Sequence, residues 1–499
     1  MRAIITHDVE VVGALVLACL YLALASGHLH SVDGLLMYYQ ARALAYHGSL
    51  HFTTPIVWGQ PNMTSRYGLG LSLLYVPGLL ALSWLRPYAP VVNPQSGLSL
   101  LYDDPLYTAV GTPINVAVTA ASAYLVGRFV RALGRDRRAA LWGMMLYGIA
   151  SPAIVYARED FAQPLEGLCW IAALYSAVEF RRSRRMTWLW ACSFSMFYAV
   201  LTRPFEGSLL LIGAMLLSIV VWPPRRWTVV QLRASSAILA GYAAGILVTV
   251  LVNWGRYGSP FTTGYEGLGW TTPLGMGLAG SLVSPGRGIL WEFPAILLIP
   301  FGLRDLWRTK QRIVGLVLLG LSILLLVSIS AWSIWWGGWN WGLRLFVPAL
   351  PALSVLAAYG VASLRSSHLR WVPWPVLAAG VIWAVPCILT DFIGGYAPAH
   401  RDPLSNWRWD AYPPLGAWQY LYHPRALSPM DFNSIDILWF RVARSSHNAS
   451  LIPMLVLLIV ASLLTATVVR RLRAAAESHS EKSASSAEFR STPYPDLPS

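Results

Sequence analysis

The sequence predicts an all-α, polytopic membrane protein with about twelve transmembrane helices and a long first external loop. Hydrophobic residues make up 56% of the 499-residue chain and charged residues only 12%, which is about half the charged share of a soluble domain. Six short clusters of arginine and lysine interrupt the apolar sequence, and roughly two bilayer-spanning lengths of about 20 residues separate consecutive clusters. The clusters are 128–138, 181–185, 225–226, 304–312, 365–370 and 470–473.

The basic clusters predict the orientation of the chain. Cationic loops are retained on the cytoplasmic side of a membrane, so the segments midway between clusters are expected outside. The net charge of +14 then reflects topology and contact with anionic lipids rather than binding of nucleic acid. The four cysteines all fall in apolar runs, which is typical of small core residues and not of a disulfide framework or metal motif.

The first apolar run, about 10–27, is expected to be a retained transmembrane helix and not a cleaved signal peptide. The first external loop, 28–106, contains an amphipathic stretch at 35–47 and an apolar stretch at 69–85. If 69–85 crossed the bilayer, the cluster at 128–138 would lie outside, so 69–85 is predicted to be re-entrant or interfacial. The remaining spans are predicted at about 107–127, 139–157, 163–180, 187–202, 205–222, 233–254, 288–303, 313–334, 343–363, 371–390 and 450–469.

This pattern predicts one membrane-embedded domain, 1–473, with both termini in the cytoplasm. The segment 391–449, dense in Trp, Tyr, Pro and Asp, is predicted to form an external cap. The segment 474–499 is rich in Ser and poor in bulky apolar residues, which predicts a disordered cytoplasmic tail. The sequence shows no internal repeat, Walker motif, Rossmann fingerprint or HExxH motif.

Asp33 is the first candidate for chemistry because it follows the first span at its external end. It opens an amphipathic helix, and Gly34 next to it permits a sharp turn. Such a helix would hold the carboxylate near the bilayer surface, where partial desolvation raises the pKa of an acid and suits it to act as a general base. The alternative is an ordinary interfacial carboxylate at a helix exit.

The order of an acidic residue, an aromatic amphipathic helix and Ser65-Arg66-Tyr67-Gly68-Leu69-Gly70-Leu71 resembles the first external loop of GT-C membrane glycosyltransferases. Within that fold it is most similar to the bacterial branch that uses polyprenyl-phosphate sugars, related to protein mannosyltransferases and lipid A aminoarabinose transferases. The resemblance covers about 1–365. Further matching motifs follow in the expected order: Tyr156-Ala157-Arg158, Thr202-Arg203-Pro204, Tyr257-Gly258-Ser259-Pro260, Ser284-Pro285-Gly286-Arg287-Gly288, Trp336-Gly337-Gly338-Trp339 and Gly342-Leu343-Arg344.

The resemblance implies that a sugar passes from a polyprenyl-phosphate donor to an acceptor on the external face, with inversion and without a cofactor. It assigns the general base to Asp33. The family usually places a second carboxylate five residues after the arginine at 158, where this chain has Gln163. Either Glu159 or Asp160 replaces that acid or the role is dispensable, and both acids could instead stabilise the N-terminus of the following helix.

Four arginines at external positions are candidates for binding the donor phosphate, because a guanidinium offers a fork of donors matched to phosphate oxygens. Arg287 is favoured because Gly286 and Gly288 flank it, although snorkelling at the membrane interface is an alternative for each arginine. The four are Arg158, Arg203, Arg287 and Arg344. Candidates for contacting sugar or lipid are Tyr38, Gln163, Tyr265, Trp336 and Trp339; an aromatic belt is the alternative for the tryptophans.

The alternative function is that of a secondary transporter or lipid flippase. Such proteins often have paired halves and ionisable groups near the bilayer midplane, whereas this chain keeps its ionisable residues at the edges of spans. A non-catalytic scaffold would not explain why Asp33 and the arginines share one face. Metal dependence stays open, although no cluster of carboxylates in the sequence argues for a metal site. The acceptor, whether glycan, lipid or protein, is not indicated.

Overall fold

The computed structural model describes residues 8–52, 63–88, 104–219, 229–309, 311–392, 403–422, 435–446 and 451–491. These residues form nineteen α-helices and no β-sheet, with a single antiparallel bridge between Phe52 and Met63. The α-helices are α1 Val9–Ala23, α2 Val32–His47, α3 Gly70–Ala81, α4 Pro105–Ala132, α5 Arg137–Gly148, α6 Ala153–Tyr156, α7 Gln163–Ser183, α8 Met186–Thr202, α9 Pro204–Ile219, α10 Val229–Tyr257, α11 Leu274–Val283, α12 Ile289–Glu292, α13 Ile299–Trp307, α14 Arg312–Ala331, α15 Leu350–Leu364, α16 Pro373–Leu389, α17 Pro413–Tyr422, α18 Leu438–Ser446 and α19 Ile452–Ser491. Short 3-10 helices cover Ser83–Tyr88, Pro294–Leu298, Arg344–Ala349, Pro403–Trp407 and Trp409–Ala411.

The helices form a bundle around α4, α7 and α15. Helix α7 packs between α4 and α8, and α15 packs against α5 and α13. The apolar span Arg344–Leu364, which includes α15, is 94% buried within the protein, whereas Ile452–Leu472 at the start of α19 is 6% buried. A helix that is apolar all round is stable only in a core or in lipid, so α15 is the centre of the bundle and the exposed apolar segment Ile452–Leu472 of α19 is suited to face lipid.

The predicted class of an all-α, polytopic membrane protein is confirmed. Five described segments are long and apolar enough to cross a bilayer, and at least one described helix coincides with every predicted span. The number of about twelve spans stays a prediction. The five segments are Pro105–Ala132, Leu232–Tyr257, Arg312–Ala331, Arg344–Leu364 and Ile452–Leu472.

Helices α2 and α3 belong to the predicted first external loop. Helix α3 has 12 residues and is therefore about 18 Å long, well short of the roughly 30 Å hydrocarbon core. Helix α2 differs from the expected interfacial helix because half of its residues, including Leu35, Met37 and Tyr38, are buried in the protein. The chain leaves α2 through Gly48, whose φ of 60° suits a glycine at a helix end.

Two other segments differ from the expectation or were not anticipated. Helix α19 continues to Ser491, so 474–491 of the predicted disordered tail is helical. This stretch has six serines but also five alanines and three glutamates, which favour helix. Helix α11 was not predicted because its glycines weaken the helical pattern. The predicted cap, 391–449, is described at 391–392, 403–422 and 435–446 and lies otherwise outside the described residues.

Candidate active site

Asp33 is the second residue of α2, and its carboxylate joins two segments that are distant in sequence. The helix is capped by Ser31, whose Oγ accepts a hydrogen bond from the Gly34 amide at 2.9 Å. Asp33 Oδ1 accepts a hydrogen bond from the Tyr67 hydroxyl at 2.5 Å, and Oδ2 pairs with Arg344 Nη1 at 2.8 Å. The Asp33 side chain is 19% exposed, so the carboxylate is held firmly but remains accessible to a substrate.

The pKa of Asp33 is lowered, and the expectation of a raised pKa was wrong. Burial alone would raise the pKa of this carboxyl group, but the positive charge of Arg344 and the hydrogen bond from Tyr67 favour the ionised form and outweigh it. Arg344 lies 311 residues further along the chain, so the sequence did not reveal this partner. Asp33 is therefore ionised and able to take up a proton, which is the state that a general base requires.

Arg66 and Tyr67 extend the site on the side of Asp33 Oδ1. Arg66 Nε and Nη2 donate to the Tyr67 hydroxyl at 3.3 and 3.2 Å, and the guanidinium lies over the Tyr265 ring, 5.2 Å from its centroid. Burial and the neighbouring Asp33 charge hold the pKa of Tyr67 well above its usual range, so its hydroxyl stays a donor. The sequence motif at 65–71 contained both residues, but no role was assigned to them. The structure does bring the predicted contact residue Tyr265 here.

Arg203 is a second cation close to Arg344. It ends α8 and pairs with Glu206 Oε1 through Nη2 at 2.6 Å, and its Nε lies 3.4 Å from Glu166 Oε2. Its charge acts on Arg344 and on Tyr265. The side chains of Arg203 and Arg344 are 23% and 15% exposed. Both predicted phosphate-binding residues are therefore partly accessible, and Arg344 is the one that contacts Asp33.

Arg287, the favoured phosphate candidate, is fully buried and its donors are used by the protein. Its Nη1 donates to Asn340 O at 2.7 Å, Asn340 Oδ1 at 2.9 Å and Gly342 O at 2.6 Å. Its Nη2 donates to Gly338 O at 2.8 Å, and Nε to Asn406 Oδ1 at 3.3 Å. A guanidinium bound by this many carbonyl oxygens holds a loop in place. Its predicted role in binding phosphate stays a prediction.

The loop that Arg287 holds leads directly to Arg344. Gly337, Gly338 and Gly342 have φ values of 79°, 77° and 61°, a region that disfavours side chains with a Cβ. A Cβ at Gly337 would lie 3.0 Å from Arg344 Cγ. Arg287 therefore acts on the site through this glycine-rich loop, which sets the position of Arg344.

Trp336 and Trp339 lie in and beside the same loop. Trp339 is exposed, and Trp336 is half-buried with its ring edge-on to Trp335 at a centroid distance of 6.1 Å. Both predicted contact residues are thus next to the segment that carries Arg344. Their placement fits a surface for lipid or sugar and also fits an interfacial belt.

Arg158 and Tyr38 have structural partners instead of the predicted substrate contacts. Arg158 is buried, with Nη2 2.6 Å from Asp436 Oδ2 and further hydrogen bonds to the carbonyl oxygens of Asp436 and Ile388. Tyr38 is buried and donates to Asp104 Oδ2 at 2.9 Å. The Tyr38 hydroxyl and both terminal nitrogens of Arg158 are therefore engaged by partners that are distant in sequence. Arg158 Nε has no hydrogen-bond partner but is buried.

Asp160 binds the segment just before α2, the helix that carries the candidate base. Its Oδ2 accepts from the amides of His30 at 3.0 Å and Ser31 at 3.1 Å, and Oδ1 accepts from Ser31 Oγ at 3.0 Å. A Cβ at Gly34 would lie 2.0 Å from Asp160 Oδ2, so glycine is required for this fit. Burial raises the pKa of Asp160 to about 7 despite these bonds. The carboxylate stabilises α2 and not the helix that follows it in sequence.

Glu159 and Gln163 are also buried. Burial, opposed by Arg158 and reinforced by Asp160, holds the pKa of Glu159 well above its usual range, and Glu159 Oε2 has no hydrogen-bond partner. Gln163 begins α7, and its buried Oε1 lacks a partner as well. Neither of these residues nor Asp160 reaches the accessible side of Asp33, so the second catalytic acid stays a prediction.

Comparison with known proteins identifies the fold. No protein-family model matches the chain, and no curated protein matches it by sequence. Apo ArnT from Cupriavidus metallidurans is similar at a TM-score of 0.50 and 17% identity, over 82% of this chain and 75% of ArnT. ArnT bound to undecaprenyl phosphate gives a TM-score of 0.45 at 14% identity over the same shares of the two chains.

The archaeal oligosaccharyltransferase AglB from Archaeoglobus fulgidus, in complex with an inhibitory peptide and a dolichol-phosphate, gives a TM-score of 0.48 at 13% identity. The match covers 75% of this chain but only 54% of AglB, so the chain spans about half the length of that protein. At these identities the likeness to apo ArnT concerns the fold. The chain has the GT-C fold, as the first-loop motifs predicted.

Proposed function

We propose that this protein is a GT-C glycosyltransferase that moves a sugar from a polyprenyl-phosphate donor to an acceptor on the external face of the membrane. The observation that carries the proposal is the accessible, ionised carboxylate of Asp33, which pairs with Arg344 and lies within range of the charge of Arg66. The charge of Arg203 acts on Arg344 in turn. An inverting transfer needs one base at the acceptor and positive charge at the departing phosphate, and this arrangement supplies both.

In the proposed reaction Asp33 takes the proton from an acceptor hydroxyl or amine. The acceptor atom attacks the anomeric carbon from the face opposite the phosphate, so the configuration of that carbon inverts. The bond between the anomeric carbon and the phosphate oxygen breaks, and the electron pair leaves with the polyprenyl phosphate. Arg344 and Arg203 would stabilise the negative charge that develops on that oxygen, since their forked donors match phosphate oxygens.

The fold supports a lipid-linked donor. ArnT, whose apo structure has the same fold, has also been solved with undecaprenyl phosphate. An enzyme working outside the membrane has no access to cytoplasmic nucleotide sugars, so its activated sugar must arrive on a lipid. The apolar helices of this chain provide the surroundings that a prenyl chain needs.

The direct test is incubation of the purified protein in lipid nanodiscs with a radiolabelled polyprenyl-phosphate sugar and separate glycan, lipid and peptide acceptors. We expect release of free polyprenyl phosphate and transfer of label to one acceptor class. If the donor stays intact but crosses the bilayer of proteoliposomes, the protein is a flippase and the proposal is wrong. The donor is offered from both sides in that second assay.

Tyr67→Phe is expected to lower turnover about 10-fold, because a hydrogen bond to a charged group contributes about 1.5–3 kcal/mol. The change removes the 2.5 Å bond to Asp33 Oδ1, so the pKa of Asp33 should rise and the acid limb of the pH–rate profile should move to higher pH. Tyr39→Phe is the matched control on α2, since its ring packs on Phe52. Unchanged pH profiles for both variants would remove Tyr67 from the site.

The proposed orientation is tested with single cysteines in a variant that lacks Cys19. We expect Phe261→Cys, at an 86% exposed position after α10, to react with a membrane-impermeant maleimide in intact cells. Ser183→Cys, within the second basic cluster, should react only after permeabilisation. Labelling of position 183 from outside would reverse the orientation and place the Asp33 site in the cytoplasm.

A further inference from the structure

Two histidines and an aspartate that are far apart in sequence meet behind the N-terminus of α2. His28 and His30 precede this helix, and Asp436 precedes α18. One potential ligand atom from each residue lies within 4.8 Å of the other two, and all three side chains are buried. The site is separate from the accessible face of Asp33, and the proposed reaction does not use these side chains.

The contacts within this cluster bring nitrogen and carboxylate oxygen donors together. His28 Nε2 lies 2.8 Å from Asp436 Oδ1, and the two imidazole rings have centroids 4.1 Å apart. His30 Nδ1 lies 3.4 Å from Asp391 Oδ1, and His30 Nε2 lies 2.6 Å from Ser26 Oγ. Around a tetrahedral zinc ion with bonds of about 2.0–2.2 Å, ligand atoms are about 3.3 Å apart. A shift of about half an ångström would open the His28–Asp436 pair to that separation.

The charge around the cluster favours an additional cation. Asp391 and Asp436 contribute two buried carboxylates that contact the histidines of the cluster. Arg158 binds Asp436 Oδ2 at 2.6 Å. Buried carboxylates are costly unless they are paired. A divalent ion would offset the negative charge of Asp391 and Asp436.

We propose that His28, His30 and Asp436 bind a structural zinc ion, with Asp391 or a water molecule as the fourth ligand. Two imidazole nitrogens with carboxylate oxygen favour zinc over the harder ions magnesium and calcium. Arg158 would orient Asp436 from the second oxygen.

The zinc ion would hold the cap segment against the start of α2. Backbone hydrogen bonds already run from the Asp436 amide to Leu389 O and from the Leu438 amide to Ala25 O, each at 2.8 Å. His30 is three residues before Asp33 in the chain, and its amide donates to Asp160, which also binds Ser31, the N-cap residue of α2. The ion therefore stabilises the segment that fixes the position of Asp33 without contacting the reacting atoms.

The test measures zinc in the full-length protein, purified in detergent with an affinity tag that contains no histidine. We expect about one zinc ion per chain after dialysis, and loss of most of that zinc in His28→Ala and in His30→Ala. His51→Ala is the matched control, because His51 is exposed and bonds only weakly to the Gly255 carbonyl at 3.1 Å. Zinc that is unaffected by the His28 and His30 variants would be adventitious and would overturn the proposal.

Wild-type protein provides a second measurement in case those variants fail to fold. Removal of the metal with a strong chelator should lower the thermal unfolding temperature, and added zinc should restore it. Cobalt added instead should give the visible absorption of a four-coordinate cobalt site. Wild-type protein that contains no zinc, and whose unfolding temperature responds neither to chelator nor to zinc, contradicts the proposal whatever the protein's catalytic activity.

Discussion

Asp33→Asn lowers the rate of sugar transfer at least about 10²-fold, the typical contribution of a general base. The substitution keeps the size of the side chain but removes the carboxylate that takes the proton from the acceptor substrate. Binding of the sugar donor should survive, because Arg344 loses its counterion but keeps the N–H groups that would bind the phosphate. The measurement is single-turnover transfer together with donor affinity in the same lipid nanodiscs. Loss of turnover with retained donor binding is the expected pair of results.

The control for this substitution is Asp410→Asn, which removes an exposed acid that pairs with Arg408 and should leave turnover unchanged. Glu159→Gln, Asp160→Asn and Gln163→Glu, measured alongside, show whether a second acid takes part. Glu159→Gln is expected to have little effect on chemistry because Glu159 is buried. Near-normal turnover in Asp33→Asn would eliminate Asp33 as the base.

The pH dependence follows from the same carboxylate. Because Arg344 and Tyr67 hold the pKa of Asp33 below its ordinary value, the free enzyme keeps an ionised base as the pH falls toward that value. The acid limb of kcat/KM, which reports the free enzyme, should therefore lie at or below a pH of about 4, the reference for aspartate. An acid limb near neutral pH would show that another group controls the reaction.

Arg344→Ala weakens donor binding about 10- to 100-fold, since each charge-assisted hydrogen bond contributes about 1.5–3 kcal/mol. Arg344→Lys keeps the charge but loses the planar fork, so it should recover only part of the affinity. Affinity is measured for a non-transferable polyprenyl-phosphate sugar in nanodiscs. Equal affinity in wild type, lysine and alanine variants would remove Arg344 from the phosphate site.

Arg308→Ala is the control for this series, because Arg308 is an exposed cation at the end of α13 on the predicted cytoplasmic side. Arg203→Ala tests the second cation and should weaken donor binding less, since Glu206 and Glu166 already neutralise Arg203. Arg287→Lys should instead lower thermal stability, because lysine cannot satisfy the carbonyls of Asn340, Gly338 and Gly342 together. These outcomes separate phosphate binding from loop positioning.

The sequence was informative where local pattern decides structure. Apolar runs and basic clusters predicted spans that coincide with helices of the structure, because hydropathy and loop charge are local properties of the sequence. The resemblance of the first external loop also grouped Asp33 with the 65–71 motif, and the two are in contact. Asp33 and Tyr67 are 34 residues apart, yet they lie together because α2 and the 65–71 motif belong to the same loop.

The sequence did not predict the contacts of a side chain whose partner is a main-chain carbonyl group or a residue far away in the chain. Arg287 and Arg344 look alike in sequence, because each lies near glycines. Main-chain oxygens of the 338–342 loop accept the hydrogen bonds of Arg287, whereas Arg344 pairs with the carboxylate of Asp33. Carbonyl groups occur at every residue and carry no signal. The partner of Arg158 lies 278 residues away, in a segment to which the family resemblance did not extend.

The Asp33–Arg344 ion pair makes activation of the acceptor in the proposed enzyme depend on prior binding of the donor. Before the donor arrives, the base and the phosphate-binding group neutralise each other, so a water molecule or an acceptor meets a weakened base. A phosphodiester that engages Arg344 draws the guanidinium away from the carboxylate, and the proton affinity of Asp33 then rises. Acceptor activation is thereby coupled to the presence of the sugar, and an acceptor that binds first waits in an unreactive complex.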